Sequence, residues 1–73
     1  MINRWKCSKT PDGFRIYRFR DRYGNHCFLE REMDDVMLSA ELSEEARAIV
    51  LDRRAAGKLA TLLLAYAENG ELP

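Results

Sequence analysis

Two short turn sequences limit, more than any other feature, what this chain of 73 residues can fold into. In residues 10–13 (TPDG), Pro presets the backbone of the second turn position, Asp can bond back to the main chain, and Gly accepts a positive φ. Residues 22–25 (RYGN) indicate a second turn, because Gly and Asn tolerate left-handed geometry. Two turns predict three strands, near residues 4–9, 14–20 and 26–31, joined as an antiparallel meander.

The lengths of these turns set which side chains share a face of the sheet. A four-residue first loop would place Cys7 opposite Ile16. A four-residue second loop would place Asp21 opposite His26 and Phe19 opposite Phe28, which are favourable cross-strand pairs. The face predicted to be covered by helix then holds Trp5, Cys7, Phe14, Ile16, Cys27 and Leu29, with Arg18 and Arg20 at its margin. The face predicted to be open holds Lys6, Arg15, Tyr17, Phe19, Phe28 and Glu30. A one-residue slip would exchange the two faces.

Beyond residues 33–35, Ala, Leu, Glu and Arg replace β-branched and aromatic residues, which indicates helix. Ser43 is predicted to cap this helix, with acidic residues following in the first turn, where the helix dipole favours negative charge. Gly70, after Asn69, is predicted to end it.

A single helix over residues 44–68 would be about 37 Å long, whereas a seven-residue strand spans about 23 Å. Either the helix bends or breaks at Gly57, or the apolar residues 59–66 overhang the sheet and pack on another molecule. The cost of Gly in a helix interior favours the bend. The predicted fold is therefore α+β, a three-stranded antiparallel meander followed by a C-terminal helix or helix pair. It forms one domain, with a basic β-meander over 1–31, a connector over 32–42 and a helical segment over 43–69.

Length and composition exclude several classes of function. A chain this short buries only about 60% of the surface that its unfolded form exposes, so a spacious enzyme pocket is not expected. The longest apolar run, residues 59–67, is about half of the roughly 20 residues that a membrane span needs, and no secretory leader is recognisable. We therefore expect a soluble, cytoplasmic monomer without a membrane partner, in which both cysteines are reduced.

No residue pattern indicates catalysis, a metal or another cofactor. Cys7, His26 and Cys27 lack a fourth ligand at a usual zinc spacing, and neighbouring residues on a strand point to opposite faces. For the same reason His26 cannot activate Cys27 as a nucleophile. The acidic pairs at residues 34–35 and 44–45 are better explained as charges at a helix start. We therefore expect a protein that is not an enzyme and binds no cofactor.

The net charge of zero hides a division along the chain. Residues 1–31 carry eight Lys and Arg against three Asp and Glu, whereas residues 32–73 carry four against nine. Such asymmetry can mark a basic surface for nucleic acid or for an acidic protein. Alternatively, the two halves neutralise one another within the fold.

Residues 14–32 interleave five arginines with five aromatic residues, and they define the candidate binding surface. Aromatic rings among cations suit base stacking and phosphate neutralisation, and equally suit an acidic protein epitope. The predicted partner-binding residues are Lys6, Arg15, Tyr17, Arg18, Arg20, Arg22 and Tyr23. A two-sided sheet, with helix on one face and the tail on the other, is the structural alternative.

A meander followed by a helix, here over residues 4–56, resembles in topology the DNA-binding arm domains of phage integrases and the plant GCC-box-binding domain. Those domains read the major groove with the sheet. This chain departs from them in its acidic helical segment and its zero net charge. Nucleic acid is therefore expected to be a weak or secondary partner.

Over its whole length, in size and charge layout, the chain resembles the small phage-encoded regulators that bind host RNA polymerase, such as the antiterminators of Xanthomonas phages. The resemblance implies contact with the N-terminal region of the polymerase β′ subunit, near the RNA exit channel. From there such a protein would inhibit promoter recognition through σ and suppress termination by disfavouring the RNA hairpin. The alternatives are a sheet-faced nucleic-acid-binding domain and a phage inhibitor of another host complex, such as an anti-CRISPR protein.

Overall fold

Four strands and one helix make up the described part of the chain, which in this computed structural model comprises residues 5–42, 44 and 48–73. In chain order the elements are β1 (Lys6–Lys9), β2 (Arg15–Arg20), β3 (His26–Glu32), β4 (Asp35–Glu41) and α1 (Arg53–Asn69). Neighbouring strands pair antiparallel in the order β1-β2-β3-β4. The α+β class, with an antiparallel meander followed by a C-terminal helix, is confirmed. The predicted number of three strands is wrong.

The additional strand, β4, lies where the sequence predicts a connector. A two-residue turn joins β3 to β4 and leaves Glu32 paired with Asp35. Met33 in this turn has a φ of 54°, in the left-handed region that usually requires Gly or Asn. The Met, Leu, Ala and Glu of this segment favour helix in isolation, but hydrogen bonding along the whole length of β3 overrides that preference.

The β1–β2 loop is one residue longer than predicted. The Thr10 N–H donates to the Phe14 carbonyl over 2.8 Å, and the Gly13 N–H donates to the Thr10 carbonyl over 2.9 Å. Gly13 has a φ of 88°, so the loop combines a tight turn with a left-handed glycine, the arrangement that forms a G1 bulge. As a result Lys9 pairs with Arg15 rather than with Phe14.

The β2–β3 loop repeats this geometry. The Asp21 N–H donates to the Asn25 carbonyl over 3.0 Å, and the Gly24 N–H donates to the Asp21 carbonyl over 3.1 Å, with Gly24 at a φ of 84°. Phe19 therefore pairs with Cys27 rather than with Phe28.

Each of the two longer loops shifts the register by one residue. The first shift exchanges the two faces of β2 relative to the prediction, and the second restores the predicted faces of β3. The covered face contains Trp5, Cys7, Arg15, Tyr17, Phe19, Cys27 and Leu29. The prediction that Arg15, Tyr17 and Phe19 lie on the open face is therefore wrong, as is the assignment of Ile16 to the core. Arg18 and Arg20, predicted at the margin of the covered face, lie on the open face. Lys6, Phe28 and Glu30 lie on the open face as predicted.

The core forms between the covered face and α1. Ala55, Leu59 and Leu62, at helical spacing, are the buried residues of α1. The central buried cluster consists of Tyr17, Leu29, Leu59, Leu62 and Leu72, with Trp5, Val36, Leu51 and Tyr66 packed against it. Trp5 also stacks on Phe19 with ring centroids 4.1 Å apart.

The helix begins later than predicted. Asp52 is its N-cap, and the Asp52 side chain accepts a 2.8 Å hydrogen bond from the Ala55 N–H. The predicted cap, Ser43, lies outside the described residues. At 17 residues the helix is about 26 Å long, close to the length of a strand, so it does not need a bend in order to fit the sheet. It runs through Gly57 without the predicted break. Gly70 ends it as predicted, with a φ of 75°.

Candidate functional site

One face of the sheet is left open by the helix, and we call it the open face. It comprises Lys6, Ser8, Ile16, Arg18, Arg20, His26, Phe28, Glu30, Glu32, Asp35, Met37, Ser39 and Glu41. On β2 and β3 these side chains are exposed or half-buried, whereas the alternate Tyr17, Phe19, Cys27 and Leu29 are buried. The sheet therefore presents a broad mixed surface of charged, polar and apolar groups.

The basic half of the open face consists of three exposed cations on β1 and β2. Lys6 lies directly opposite Arg18, and Arg20 follows two residues later on the same face. Like charges directly opposite one another destabilise a sheet. Within the described ranges none of the three forms an ion pair. This cluster therefore has unsatisfied capacity to bind anionic groups.

An apolar ring borders the basic half. Phe28, half-buried, pairs with Arg18, and the Arg18 guanidinium carbon lies 6.0 Å from the centre of the Phe28 ring. This distance is at the limit for a cation–π interaction. A partner that covers the pair would gain both charge neutralisation and apolar burial.

The other half of the open face is acidic. Glu30, Glu32, Asp35 and Glu41 project from β3 and β4, and the cross-strand row of Arg20, His26 and Glu41 runs from the basic to the acidic side. The charge division of the sequence is thus present within one surface, because β4 brings acidic residues next to the basic strands.

The β2–β3 turn carries two further predicted residues, Arg22 and Tyr23, and is held by the buried carboxylate of Asp21. This carboxylate accepts hydrogen bonds from the N–H groups of Tyr23 and Asn25, both at 2.9 Å, and from the Asn25 side-chain amide at 3.0 Å. Tyr23 itself is 74% exposed. The turn therefore presents the Tyr23 ring to solvent from a fixed backbone.

Burial and hydrogen bonding act on Asp21 in opposite directions. Burial acts to raise the pKa of the Asp21 carboxyl, but hydrogen bonds from Asn25, Val50 and Tyr23 together outweigh it, so the pKa lies below its usual value. Asp21 is therefore ionised at neutral pH and keeps the turn in place.

Of the seven predicted binding residues, the structure brings five to one end and face of the sheet and separates two. Lys6, Arg18 and Arg20 lie on the open face, and Arg22 and Tyr23 lie in the adjoining turn. Arg15 lies on the covered face, where its guanidinium is 3.6 Å from the Cys7 sulfur. Tyr17 is a core residue, and its hydroxyl donates to the Pro73 carbonyl.

Sequence reasoning did not include Met37 and Glu41 in the candidate surface, because β4 was not predicted. The available signal was partial: Val36, Leu38 and Ala40 alternate with Asp35, Ser39 and Glu41, but the apolar Met37 interrupts the pattern. The sequence predicts Phe28 on the open face but pairs it with Phe19. In the structure Phe28 pairs with Arg18.

The described residues do not assemble a metal site: no group of three or more His, Cys, Asp and Glu side chains is positioned to hold an ion. Cys7 and Cys27 are free thiols on strands that are not neighbours. Burial, reinforced by the charge of Asp21, raises the pKa of the Cys27 thiol, which disfavours the nucleophilic thiolate. Over residues 5–42, 44 and 48–73, no helix is long and apolar enough to cross a bilayer.

Comparison with known proteins finds no matching family model, no matching curated protein and no matching solved structure.

Proposed function

We propose that this protein is a phage-type regulator that binds bacterial RNA polymerase through the basic half of its open face and the adjoining turn. In this proposal it contacts the N-terminal region of the β′ subunit, inhibits promoter recognition and suppresses termination. The observation that carries the proposal is the cluster of Lys6, Arg18 and Arg20, exposed on a sheet face beside Phe28 and without ion pairs among the described residues.

The chemistry of this surface favours an acidic protein epitope. Arginine and aromatic residues are the commonest anchors of protein interfaces. Arg18 and Phe28 provide such a pair on the sheet, and Tyr23 provides a second ring at the turn. Carboxylates of a partner would relieve the repulsion between Lys6 and Arg18, while the rings supply affinity that salt does not screen.

The identity of the partner rests on the resemblance in length, charge layout and lack of a catalytic motif to phage regulators of polymerase. The four-stranded sheet has one face that α1 leaves open, which supports the idea of a flat binding platform. A small platform of this kind can block σ-dependent promoter recognition or disfavour a hairpin at the RNA exit channel simply by occupying the site.

The acidic half of the open face argues against duplex DNA as the main partner. Strands lie about 4.8 Å apart, so β3 and β4 place their carboxylates within about 10 Å of β2, the screening length at 0.1 M salt. The carboxylates would repel a phosphate backbone laid across the sheet. We expect random duplex DNA to bind no more tightly than about 10⁻⁴ M at physiological salt.

The test is to titrate labelled duplex DNA, single-stranded RNA and purified bacterial RNA polymerase in parallel at two salt concentrations. The proposal requires polymerase to bind far more tightly than either nucleic acid. A duplex binder that neutralises about five phosphates would instead show log K falling against log salt with a slope near −4.5. Sub-micromolar nucleic-acid binding without a polymerase signal would replace the proposal with a sheet-faced nucleic-acid binder. Tight binding to a different host complex would support the inhibitor alternative.

A further inference from the structure

A cleft of about 380 Å³ opens on the opposite side of the molecule from the basic half of the open face. It is lined by Lys9, Asp12, Gly13, Phe14, Arg15, Arg31, Glu71 and Leu72. The β1–β2 loop forms one wall, the ends of three strands form the floor, and the C-terminal tail forms the other wall. Its size falls within the range of small-molecule sites, about 300–1,000 Å³.

Three cations from three adjacent strands meet at the floor of this cleft. Lys9 pairs directly with Arg15, and Arg31 lies one residue beyond Glu30, in the same row as Arg15. This row lies on the covered face, next to the buried Tyr17 and Leu29 of the core.

Within the described part of the chain, one of these three cations has a carboxylate partner. Arg31 pairs with Glu71 at 3.8 Å and donates through Nε to the Met33 carbonyl at 2.8 Å. Lys9 and Arg15, in contrast, form no ion pair with any carboxylate that the structure describes. Asp12 also lines the cleft, so the site carries three positive and two negative side chains.

An aromatic ring lies beside the cations. The Arg31 guanidinium carbon is 4.7 Å from the centre of the Phe14 ring, and Phe14 remains 41% exposed. Lys9 and Arg15 have no carboxylate partner among the described residues, and Arg15 contacts only the neutral Cys7 thiol, at 3.6 Å. A ring next to a guanidinium plane and two such cations is the combination that binds a base together with its phosphate.

We propose that this cleft binds a nucleotide, with the phosphate on Lys9 and Arg15 and the base against Phe14. The cleft is larger than a phosphate group requires, which leaves room for the sugar and the base. A free nucleotide and a nucleotide within single-stranded RNA share this chemistry, and the test distinguishes these two sources. This inference does not rest on the proposed polymerase binding, which uses other residues on the open face.

The test is an NMR titration of the ¹⁵N-labelled protein with inorganic phosphate, uridine monophosphate and hexauridylate at constant ionic strength. We expect shifts centred on Gly13, Phe14 and Arg15, and tighter binding of the monophosphate than of inorganic phosphate. Tighter binding of hexauridylate than of the monophosphate would identify RNA as the source of the nucleotide. Equal binding would identify the free nucleotide.

Three variants make the test specific. The K9Q/R15Q double variant should bind at least about tenfold more weakly, because charged hydrogen bonds to the phosphate are lost. The matched control is K6Q/R18Q, which removes the corresponding charge pair from the open face and should leave nucleotide binding unchanged. Phe14→Ala should reduce monophosphate binding to the level of inorganic phosphate.

The proposal is overturned if no probe shifts the cleft resonances, if both double variants lose binding equally, or if the monophosphate binds no better than inorganic phosphate. The emission of Trp5, which packs against Phe19, checks that each variant is folded.

Discussion

Asp21 and Val50 join the β2–β3 turn to the segment that precedes the helix. The Val50 N–H donates to the Asp21 carboxylate over 3.1 Å, and the Val50 carbonyl accepts from the Arg22 N–H over 2.7 Å. The two bonds connect residues far apart in sequence and fix the turn that carries Tyr23. Asp21 thus contributes both to the stability of the fold and to the geometry of the candidate surface.

Asp21→Asn should remove one of these two bonds, the one from the Val50 N–H, while keeping the turn. The retained oxygen can still accept from the N–H groups of Tyr23 and Asn25, but the new amide would meet the Val50 N–H donor to donor. We expect the free energy of unfolding to fall by about 1–3 kcal/mol, measured by urea denaturation with Trp5 emission as the probe. Asp12→Asn, at an exposed loop position, is the control and should unfold like the wild type. A wild-type midpoint for Asp21→Asn would show that the hydrogen bond between the Val50 N–H and the Asp21 carboxylate adds no stability.

The same carboxylate should make stability depend on pH in the acid range. The pKa of Asp21 is lower in the folded protein than in the unfolded chain, so below neutrality the unfolded state binds more protons. Its stabilising contribution is complete above the unfolded pKa of about 3.9 and is lost as pH falls through the folded pKa. The difference in unfolding free energy between wild type and Asp21→Asn should therefore be constant from pH 5 to 7 and shrink in more acid solution. A difference that grew towards low pH would contradict this assignment.

Substitution by alanine should change the stability of the protein in opposite directions at two glycines. Gly57 lies within α1, and a Cβ added there meets no atom within 4 Å, so Gly57→Ala should stabilise the protein by about 0.5–1 kcal/mol. Gly24 also has open space around it, but its φ of 84° strains any other residue. Gly24→Ala should destabilise by about 1–2 kcal/mol. Thermal unfolding of both variants checks the pair, and destabilisation by Gly57→Ala would mean that the helix does break there.

Replacing Met33 with glycine should stabilise the protein. Its side chain is 84% exposed and its φ is 54°, so it adopts a left-handed conformation without burying its side chain. Met33→Gly should raise the free energy of unfolding by about 0.5–1 kcal/mol, since relief of strain exceeds the entropy that Gly adds to the unfolded chain. Met33→Ala keeps the strain and should change stability little. If Ala stabilised as much as Gly, backbone strain at this turn would not be the cause.

The sequence predicts the α+β class and the cap at Gly70, because turn residues and helix-ending glycines act locally. It does not predict the register, because a four-residue loop and a loop with a G1 bulge use the same Pro, Asp and Gly residues. That single-residue ambiguity moved Tyr17 from the core to the predicted surface. It does not predict β4 either. Met37 interrupts the alternation of residues 35–41, several of these residues favour helix, and pairing with β3 decides their conformation.

The sequence predicts which cations belong to the candidate surface, but it does not predict the face of the sheet on which they lie or the residues beside them. Arg18 and Arg20 share a face in any register because they are two residues apart. Which face they occupy, and whether Phe28 lies beside them, depends on both loops. The cluster therefore follows from the sequence, whereas its apolar neighbour follows only from the fold.

If cations on the open face bind polymerase, as we propose, a charge reversal on that face tests the binding most directly. The R18E/R20E variant should keep the fold, since both side chains are exposed. Its affinity for purified polymerase should fall at least about tenfold at low salt, with the difference narrowing as salt rises.

The matched control is R53E/R54E, which makes the same change in net charge at exposed positions at the start of α1. We predict that this control binds polymerase like the wild type while R18E/R20E does not. Wild-type affinity in a folded R18E/R20E variant, or an equal loss in both variants, would contradict the assignment of the open face as the binding surface.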